Sequence, residues 1–471
     1  MSEVQLSRAH LHQIPSHIKA PSSRALGDAP GVVHLGLGAF HRAHQALVFE
    51  QLLKAGDARW GIHGVGMTQP GLVNKLRAQD GLYAVRIAGA NGLTWQVPGA
   101  LWQTSVATTE RQDVLNAMAA SSTRWITLTV TEKGYTPALA QLLIEGLRLR
   151  HAAAHAGLTI ASCDNLQGNG HKLKALIHAN ATPHDEPLMQ WIDVHCAFPC
   201  SMVDRIVPAA TEEVASAAKA ALGMVDDCAL STETFWEWVI EDNFADPEDA
   251  TLLSKCGVRV TPDVHSYEEA KLRMLNGSHS AMALMGAITN RAHIADCIGA
   301  DHIKQFVHRL MSQEVAPHLS RTDWADYRDA LIQRFGNPYL KHSVHQIATD
   351  SSQKIPQRWP PSVLGQMAAH ASFEHHALAA AVFLRYTLAK DEQGKPYALN
   401  DPQALSLMAI GANQATEPQA CVRALLARED LWGKELTASD AWLKRVTDWH
   451  DQVLHQGVDA TVKYIIQQNY S

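Results

Sequence analysis

The chain has 471 residues and a hydrophobic fraction of 46%, and because single cores stop growing near about 250–300 residues, two domains are expected. Charged residues make up 18%, the net charge is -7 and no basic run is present, so a nucleic-acid partner has no electrostatic footprint and small metabolites fit better. No apolar run approaches the roughly 18 residues of a membrane span, and the start Met1-Ser2-Glu3-Val4-Gln5 lacks a signal-like pattern, so a cytoplasmic protein without a membrane partner is expected.

The first predicted element follows a leader holding Pro15, Pro21 and Pro30. The apolar run in Gly31-Val32-Val33-His34-Leu35 reads as a buried strand, Gly36 and Gly38 as a tight turn, and Phe40 to Lys54 as a helix closed by Gly56. Strand, glycine turn and helix make a place for a pyrophosphate, because a helix start presents free N–H groups. Gly36, Leu37, Gly38, Ala39, Phe40 and Arg42 are the candidate cofactor contacts. His41 stands where the dinucleotide fingerprint has its third glycine. A second strand, 60–67, ends in Met67-Thr68-Gln69-Pro70 with no acid to bind a ribose hydroxyl, so this position does not separate NAD from NADP.

Residues 75–105 combine a short helix with β-like runs at 82–87 and 93–97, consistent with a hairpin insertion. Residues 125–131 read as an alternating strand leading into Glu132 and Lys133, and 158–163 as a strand leading into Asp164 and Asn165. In open α/β sheets ligands sit beyond the carboxyl ends of strands, which places Glu132, Lys133 and Asn165 for function. Helices are expected at 171–179 and 188–195, followed by Phe198 to Pro208, where Asp204 and Arg205 read as a local ion pair.

The fold class is therefore α/β for residues 1–263, a dinucleotide-binding domain, followed by a mainly α-helical domain over 264–471. Helical periodicity recurs there at 300–313, 323–335 and 377–389. Its first helix opens with Ser266 as N-cap and Glu269 three residues on, a capping box. At about 100° per residue, Lys271 at the origin, His279 at about 80° and Asn276 at about 140° share one arc with Leu272 and Leu275. A lysine among apolar neighbours loses hydration, which lowers its pKa and suits it to take a proton from an alcohol. Residues 342–356 form a second polar knot, in which Lys354 is a candidate ligand contact.

The cysteines at 163, 196, 200, 228, 256, 297 and 421 form no CxxC pair, so reduced thiols are expected and neither a disulfide framework nor a zinc ribbon. With 26 histidines, pairs such as His41/His44, His342/His345 and His375/His376 arise by chance, and without HExxH-type spacing no metal is expected.

The order GLGAFHRAH, TVTEKGY, SCDN, SMVDRIVP, KLRMLNGSH and DSSQKIPQR resembles the polyol-specific long-chain dehydrogenases, the mannitol dehydrogenase family. The resemblance implies a zinc-independent, monomeric NAD(H) oxidoreductase with a Rossmann domain, a helical C-terminal domain and the substrate held between them. It also implies Lys271 as general base, Asn165 and Asn276 as amides that polarise the substrate oxygen, and His279 as the residue orienting substrate and lysine. Asp204 and Lys354 match substrate-binding positions, and Glu132 matches a glutamate gating proton exchange. One departure is Gln346, where mannitol-type members carry arginine. The contexts 345–358, 383–386 and 391–396 are more similar to the fructuronate reductase (mannonate oxidoreductase) branch. Such a substrate needs a cation for its carboxylate, for which Lys133, Arg358 and Arg385 are available. The expected reaction is therefore the interconversion of D-fructuronate and D-mannonate. The rivals are a mannitol or arabinitol dehydrogenase acting on a neutral polyol, and a non-catalytic NAD-binding sensor, which would have no need of Lys271.

Overall fold

A computed structural model of the chain describes residues 4–25, 29–89 and 92–468, in two units that meet at His265/Ser266. Met1 to Glu3, on which part of the reading of the N-terminus rests, lie outside the described residues. The strands of the first unit are β1 (Val32–Leu35), β2 (Ile62–Gly66), β3 (Val85–Gly89), β4 (Gly92–Gln96), β5 (Leu101–Val106), β6 (Trp125–Leu128), β7 (Thr159–Ser162), β8 (Ser201–Asp204), β9 (Leu230–Glu233), β10 (Glu237–Glu241) and β11 (Arg259–Thr261).

Five of them form a parallel sheet in the order β5-β2-β1-β6-β7, with Val32 opposite both Ile62 and Trp125. Every residue of β1, β2, β6 and β7 is buried, because apolar layers cover both faces. Val32, Ile62 and Trp125 pack with Phe49, Trp60 and Trp238 on one side. Val33, Leu35, Ile126 and Leu128 pack on the other with Leu139 and Leu143 of the helix Pro137–Ala152. The alternation expected over 125–131 is therefore not the governing pattern: β6 is buried on both faces and ends at Leu128. Chain order reverses between β1 and β6, which makes the carboxyl ends of these two strands the switch point where ligands bind in this architecture.

β3 and β4 form the expected hairpin, and β3 also pairs in parallel with β9. β8 and β11 flank β10 in a third sheet. Sequence patterning does not reveal β9 or β11, because Leu-Ser-Thr-Glu and Arg-Val-Thr are too short and polar to read as strands.

The second unit is built of helices. Its centre is the helix Gly277–Ile288, all of whose residues are buried, as befits a segment packed on all sides by the helices Val344–Ala348, Glu374–Tyr386 and their neighbours. The start of Glu374–Tyr386 is fixed by Glu314, whose two oxygens accept the backbone N–H groups of His375 at 2.6 Å and His376 at 2.9 Å as well as both Nδ1 atoms. Among the described residues no helix is long and apolar enough to cross a membrane.

Candidate active site

In the first unit the chain leaves β1 through Gly36, which has φ +95° and whose absent Cβ would lie 2.2 Å from the carbonyl oxygen of Thr129. Only glycine fits this turn. A Cβ on Gly38, by contrast, would meet nothing nearer than Gly36 O at 3.6 Å, so the space above the turn is open to a ligand, and the residues present fit a pyrophosphate.

The helix expected over 40–54 is instead two, Ala39–Ala43 and Gln45–Lys54, broken at His44 with φ -125° and ψ -91°. The break has a cause in the carbonyls: Tyr83 OH donates to Arg42 O at 2.9 Å and Arg205 Nη1 to Ala43 O at 2.6 Å, replacing helical amides. Arg205 also donates to the carbonyl of Glu233, so it serves this break rather than the ion pair with Asp204 read from the sequence. Arg42 likewise turns inward, with Nη1 2.6 Å from Cys228 O and Nε 3.3 Å from Gly38 O, and braces the turn instead of reaching out to a phosphate. His41, in the place of the third glycine, stacks on His34 with centroids 3.3 Å apart. Burial lowers the pKa of His34 to about 3 and that of His41 well below the ordinary value, so both rings are neutral packing plates between helix and strand.

Beyond β6 and β7 the loops are joined by one carboxyl group. Asp164 accepts from Thr131 N at 2.7 Å, Val130 N at 3.2 Å and Tyr135 OH at 3.3 Å. Burial raises its pKa to about 6 against the pull of those donors. Thr131 has φ +64° and ψ 167°, a region costly for a β-branched residue, and Asp164 holds it there. Glu132 and Lys133 follow in an exposed turn. Asn165 is exposed next to Asp164, and the buried Asn169 fixes that loop by donating to Asp164 O at 3.0 Å and Ser201 O at 2.8 Å. Asp164 and Asn169 were legible only as loop residues, since their bonds run to other elements. Asp204 ends β8 with 2% exposure.

In the second unit Ser266 lies inside the helix His265–Ala270 rather than capping it. Lys271–Asn276 is a π-helix, and Gly277–Ile288 continues as α-helix. An i→i+5 turn widens the helix and brings residues five apart toward one face, so Lys271 and Asn276 lie closer in direction than the regular-helix arc implies. Lys271 is 9% exposed and His279 5%. His279 packs against Phe335 at 5.1 Å and His342 at 4.8 Å between centroids, and its buried Nε2 has no hydrogen-bond partner among the described residues. Its pKa is driven well below the ordinary value by burial and then by His342, Arg358, Arg334 and Lys354, so the ring is neutral in a positive surrounding.

Arg358 reaches this segment directly, donating to Asn276 O and Ser280 Oγ, and Trp359 Nε1 donates to Gly277 O at 3.1 Å. Lys354 donates to Ile347 O at 3.2 Å and to Thr349 O, at the end of the helix that carries the exposed Gln346. Arg385 donates to the carbonyls of Lys390 and Asp391, at 2.7 and 3.1 Å, and holds that turn. Of the two second-unit cations considered for a carboxylate, the structure thus brings Arg358 to Asn276 and commits Arg385 to a turn. The arrangement offers an ammonium, an amide and a neutral imidazole on successive turns, a set suited to moving a proton to or from a carbonyl or alcohol oxygen.

The family model for the mannitol dehydrogenase Rossmann domain matches residues 30–251, and that for the mannitol dehydrogenase C-terminal domain matches 263–454. The uncharacterized oxidoreductase YdfI of Escherichia coli (strain K12) is 37% identical over 471 aligned residues, covering 93% of this chain and 96% of that protein. The D-mannonate oxidoreductase of the same organism is 37% identical over 459 residues, covering 90% and 93%. Among solved structures, the Pseudomonas fluorescens mannitol 2-dehydrogenase in ternary complex with NAD and D-mannitol has a TM-score of 0.86 at 27% identity, covering 99% of this chain and 100% of that one.

Proposed function

Because the chain belongs to the mannitol dehydrogenase family of oxidoreductases, we propose that it interconverts D-fructuronate and D-mannonate with NAD(H). The observation that carries the acidic substrate is the reach of Arg358 to Asn276 O at 3.1 Å, which sets a guanidinium beside the proposed catalytic segment, where it also disfavours a charged His279. A positive surrounding suits a sugar acid better than a neutral polyol. The 37% identity to a D-mannonate oxidoreductase supports the same choice.

In this reading bound NADH supplies the hydride for the ketone carbon. Negative charge builds on the substrate oxygen, and the amides of Asn165 and Asn276 stabilise it increasingly as it grows. Lys271 gives that oxygen a proton in reduction and removes it in oxidation, while His279, neutral and with Nε2 unpartnered among the described residues, hydrogen-bonds and orients the substrate. Asp204 and Lys354 contact the substrate, and the exposed Glu132 exchanges the proton with water. The absence of an acid after β2 leaves NADP as the cofactor to be compared. Initial rates of NADH oxidation with D-fructuronate and with D-fructose test the proposal. A much higher kcat/KM for fructuronate is expected, whereas a preference for fructose would replace this reading with a neutral-polyol dehydrogenase.

A further inference from the structure

We propose that His171, Cys200 and Glu241 form a binding site for one divalent transition-metal ion, to which the proposed oxidoreduction assigns no role. Their ligand atoms lie within 4.8 Å of one another, although the residues are 29 and 41 positions apart in sequence. Two features of the fold put them there. In the antiparallel pair of β8 and β10, Ile240 faces Ser201. One step further, Glu241 N donates to Cys200 O at 2.9 Å while Cys200 N donates to Glu241 Oε2 at 3.0 Å, so the carboxylate is fixed beside the thiol. The second feature is Gly170, whose absent Cβ would lie 2.4 Å from Phe198 O and 2.6 Å from Pro199 O. This close approach seats the segment before β8 on the start of the helix Asn169–Asn180 and leaves Cys200 Sγ 3.6 Å from His171 Nδ1.

Bonds of about 2.0–2.3 Å to a tetrahedral ion put neighbouring ligand atoms about 3.5 Å apart. The sulfur and nitrogen already have that spacing, and a carboxylate oxygen of Glu241 lies within 4.8 Å of both. His171 is exposed and offers a path of entry, Cys200 is buried, Glu241 is half-buried, and water can complete the fourth position. A sulfur, nitrogen and oxygen set favours Zn²⁺ or Co²⁺ over the hard cations Mg²⁺ and Ca²⁺. On binding, the Cys200 S–H bond breaks, its proton goes to solvent and the sulfur bonds the ion. Thiolate and carboxylate together balance the two positive charges, and affinity rises with pH. The ion would tie the start of the 169–180 helix to β8 and β10, and so brace the loop that presents Asn165.

The test is titration of the full chain, stripped of metal by a chelator, with Co²⁺. One equivalent is expected to give a thiolate-to-cobalt charge-transfer band together with four-coordinate ligand-field bands, both displaced by Zn²⁺. Cys200→Ser should abolish the charge-transfer band, and His171→Ala and Glu241→Gln should each weaken binding by more than about 10-fold. Cys196→Ser should change nothing. His171 is exposed, so His171→Ala keeps the metal-free melting temperature and decides the matter even if Cys200→Ser folds poorly. Co²⁺ binding without a thiolate band, a band that survives Cys200→Ser, or unchanged affinity in His171→Ala would overturn the proposal and assign any binding to other side chains.

Discussion

Arg358 donates to the carbonyl of Asn276 at 3.1 Å and to the hydroxyl of Ser280 at 2.6 Å, tying the end of the π turn to the first turn of the following α-helix. A π turn leaves backbone carbonyls without regular helical partners, and an outside donor stabilises it. Arg358→Ala removes bonds worth about 1.5–3 kcal/mol when the donor is charged, so the melting temperature should fall. If Arg358 only positions Asn276, kcat should fall by up to about 100-fold with D-fructuronate and D-fructose alike. A rise in KM confined to fructuronate would show instead that Arg358 meets the substrate carboxylate. Arg358→Lys keeps the charge but not the fork, and so separates the two effects.

Lys271 carries the proton in the proposed reaction. General acid–base groups contribute about 10²–10⁴-fold, so Lys271→Ala should lower kcat by at least about 100-fold. NADH affinity, measured by fluorescence titration, should be unchanged, because the glycine turn lies in the other unit. Turnover at the wild-type rate would remove Lys271 from the mechanism.

These two sites differ in how much of them the sequence discloses. Gly36, Gly38 and the polar ends of β6 and β7 are legible because strand, glycine turn and strand-end loops are local patterns. Lys271, Asn276 and His279 are legible as an ordered motif, but the π turn beneath them is not, since it differs from an α-helix only in which amide meets which carbonyl. The break at His44 is hidden for a similar reason: the groups that take the carbonyls, Tyr83 and Arg205, are distant in sequence. The roles of Arg42 and Arg385 are hidden too, because a basic residue beside a motif looks the same in sequence whether it faces a ligand or a backbone carbonyl.

Gly36 and Gly38 should respond differently to alanine. A Cβ on Gly36 meets Thr129 O at 2.2 Å with φ at +95°, so Gly36→Ala combines a backbone clash with a left-handed conformation that alone costs about 1–2 kcal/mol. It should lower the melting temperature and abolish NADH binding together. Gly38→Ala, with no protein atom nearer than 3.6 Å, should melt like the wild type and lose only cofactor affinity. Equal melting temperatures for both variants would contradict the geometry of the turn.

Asp164 predicts an acid limb in the rate profile. Burial raises its pKa to about 6, and the ionised form is the one that can accept from Thr131 N, Val130 N and Tyr135 OH together. As pH falls through about 6, protonation takes away acceptor capacity, Thr131 relaxes from its φ of +64°, and the turn bearing Glu132 shifts. The rate should therefore decline on the acid side with a midpoint of about 6. Asp164→Asn cannot ionise. Its rate should be low at every pH and should lack that limb, and an unchanged limb in this variant would assign it to another group.

Glu314 governs the acid stability of the helical unit. Burial opposes its ionisation, but His375 and His376, through charge and hydrogen bonds, outweigh that cost and hold its pKa at about 2, below the ordinary 4.5. A carboxyl whose pKa is depressed on folding contributes stability that is fully present above the ordinary value and lost as pH falls from 4.5 toward about 2. The amount is on the order of 3 kcal/mol, since each pKa unit corresponds to about 1.4 kcal/mol. Glu314→Gln puts an NH₂ group in place of one oxygen, facing a backbone N–H donor and a ring nitrogen that now meet a carboxylate, and removes the charge from the other pair. Breaking a buried charged network in this way costs about 3–5 kcal/mol, so the urea midpoint at neutral pH should drop sharply. The variant's stability should also lose the steep decline below about pH 4.5 that this group gives the wild type. If the two proteins decline in parallel, Glu314 is not the group whose protonation unfolds the unit, and the start of the helix Glu374–Tyr386 must be held by other contacts.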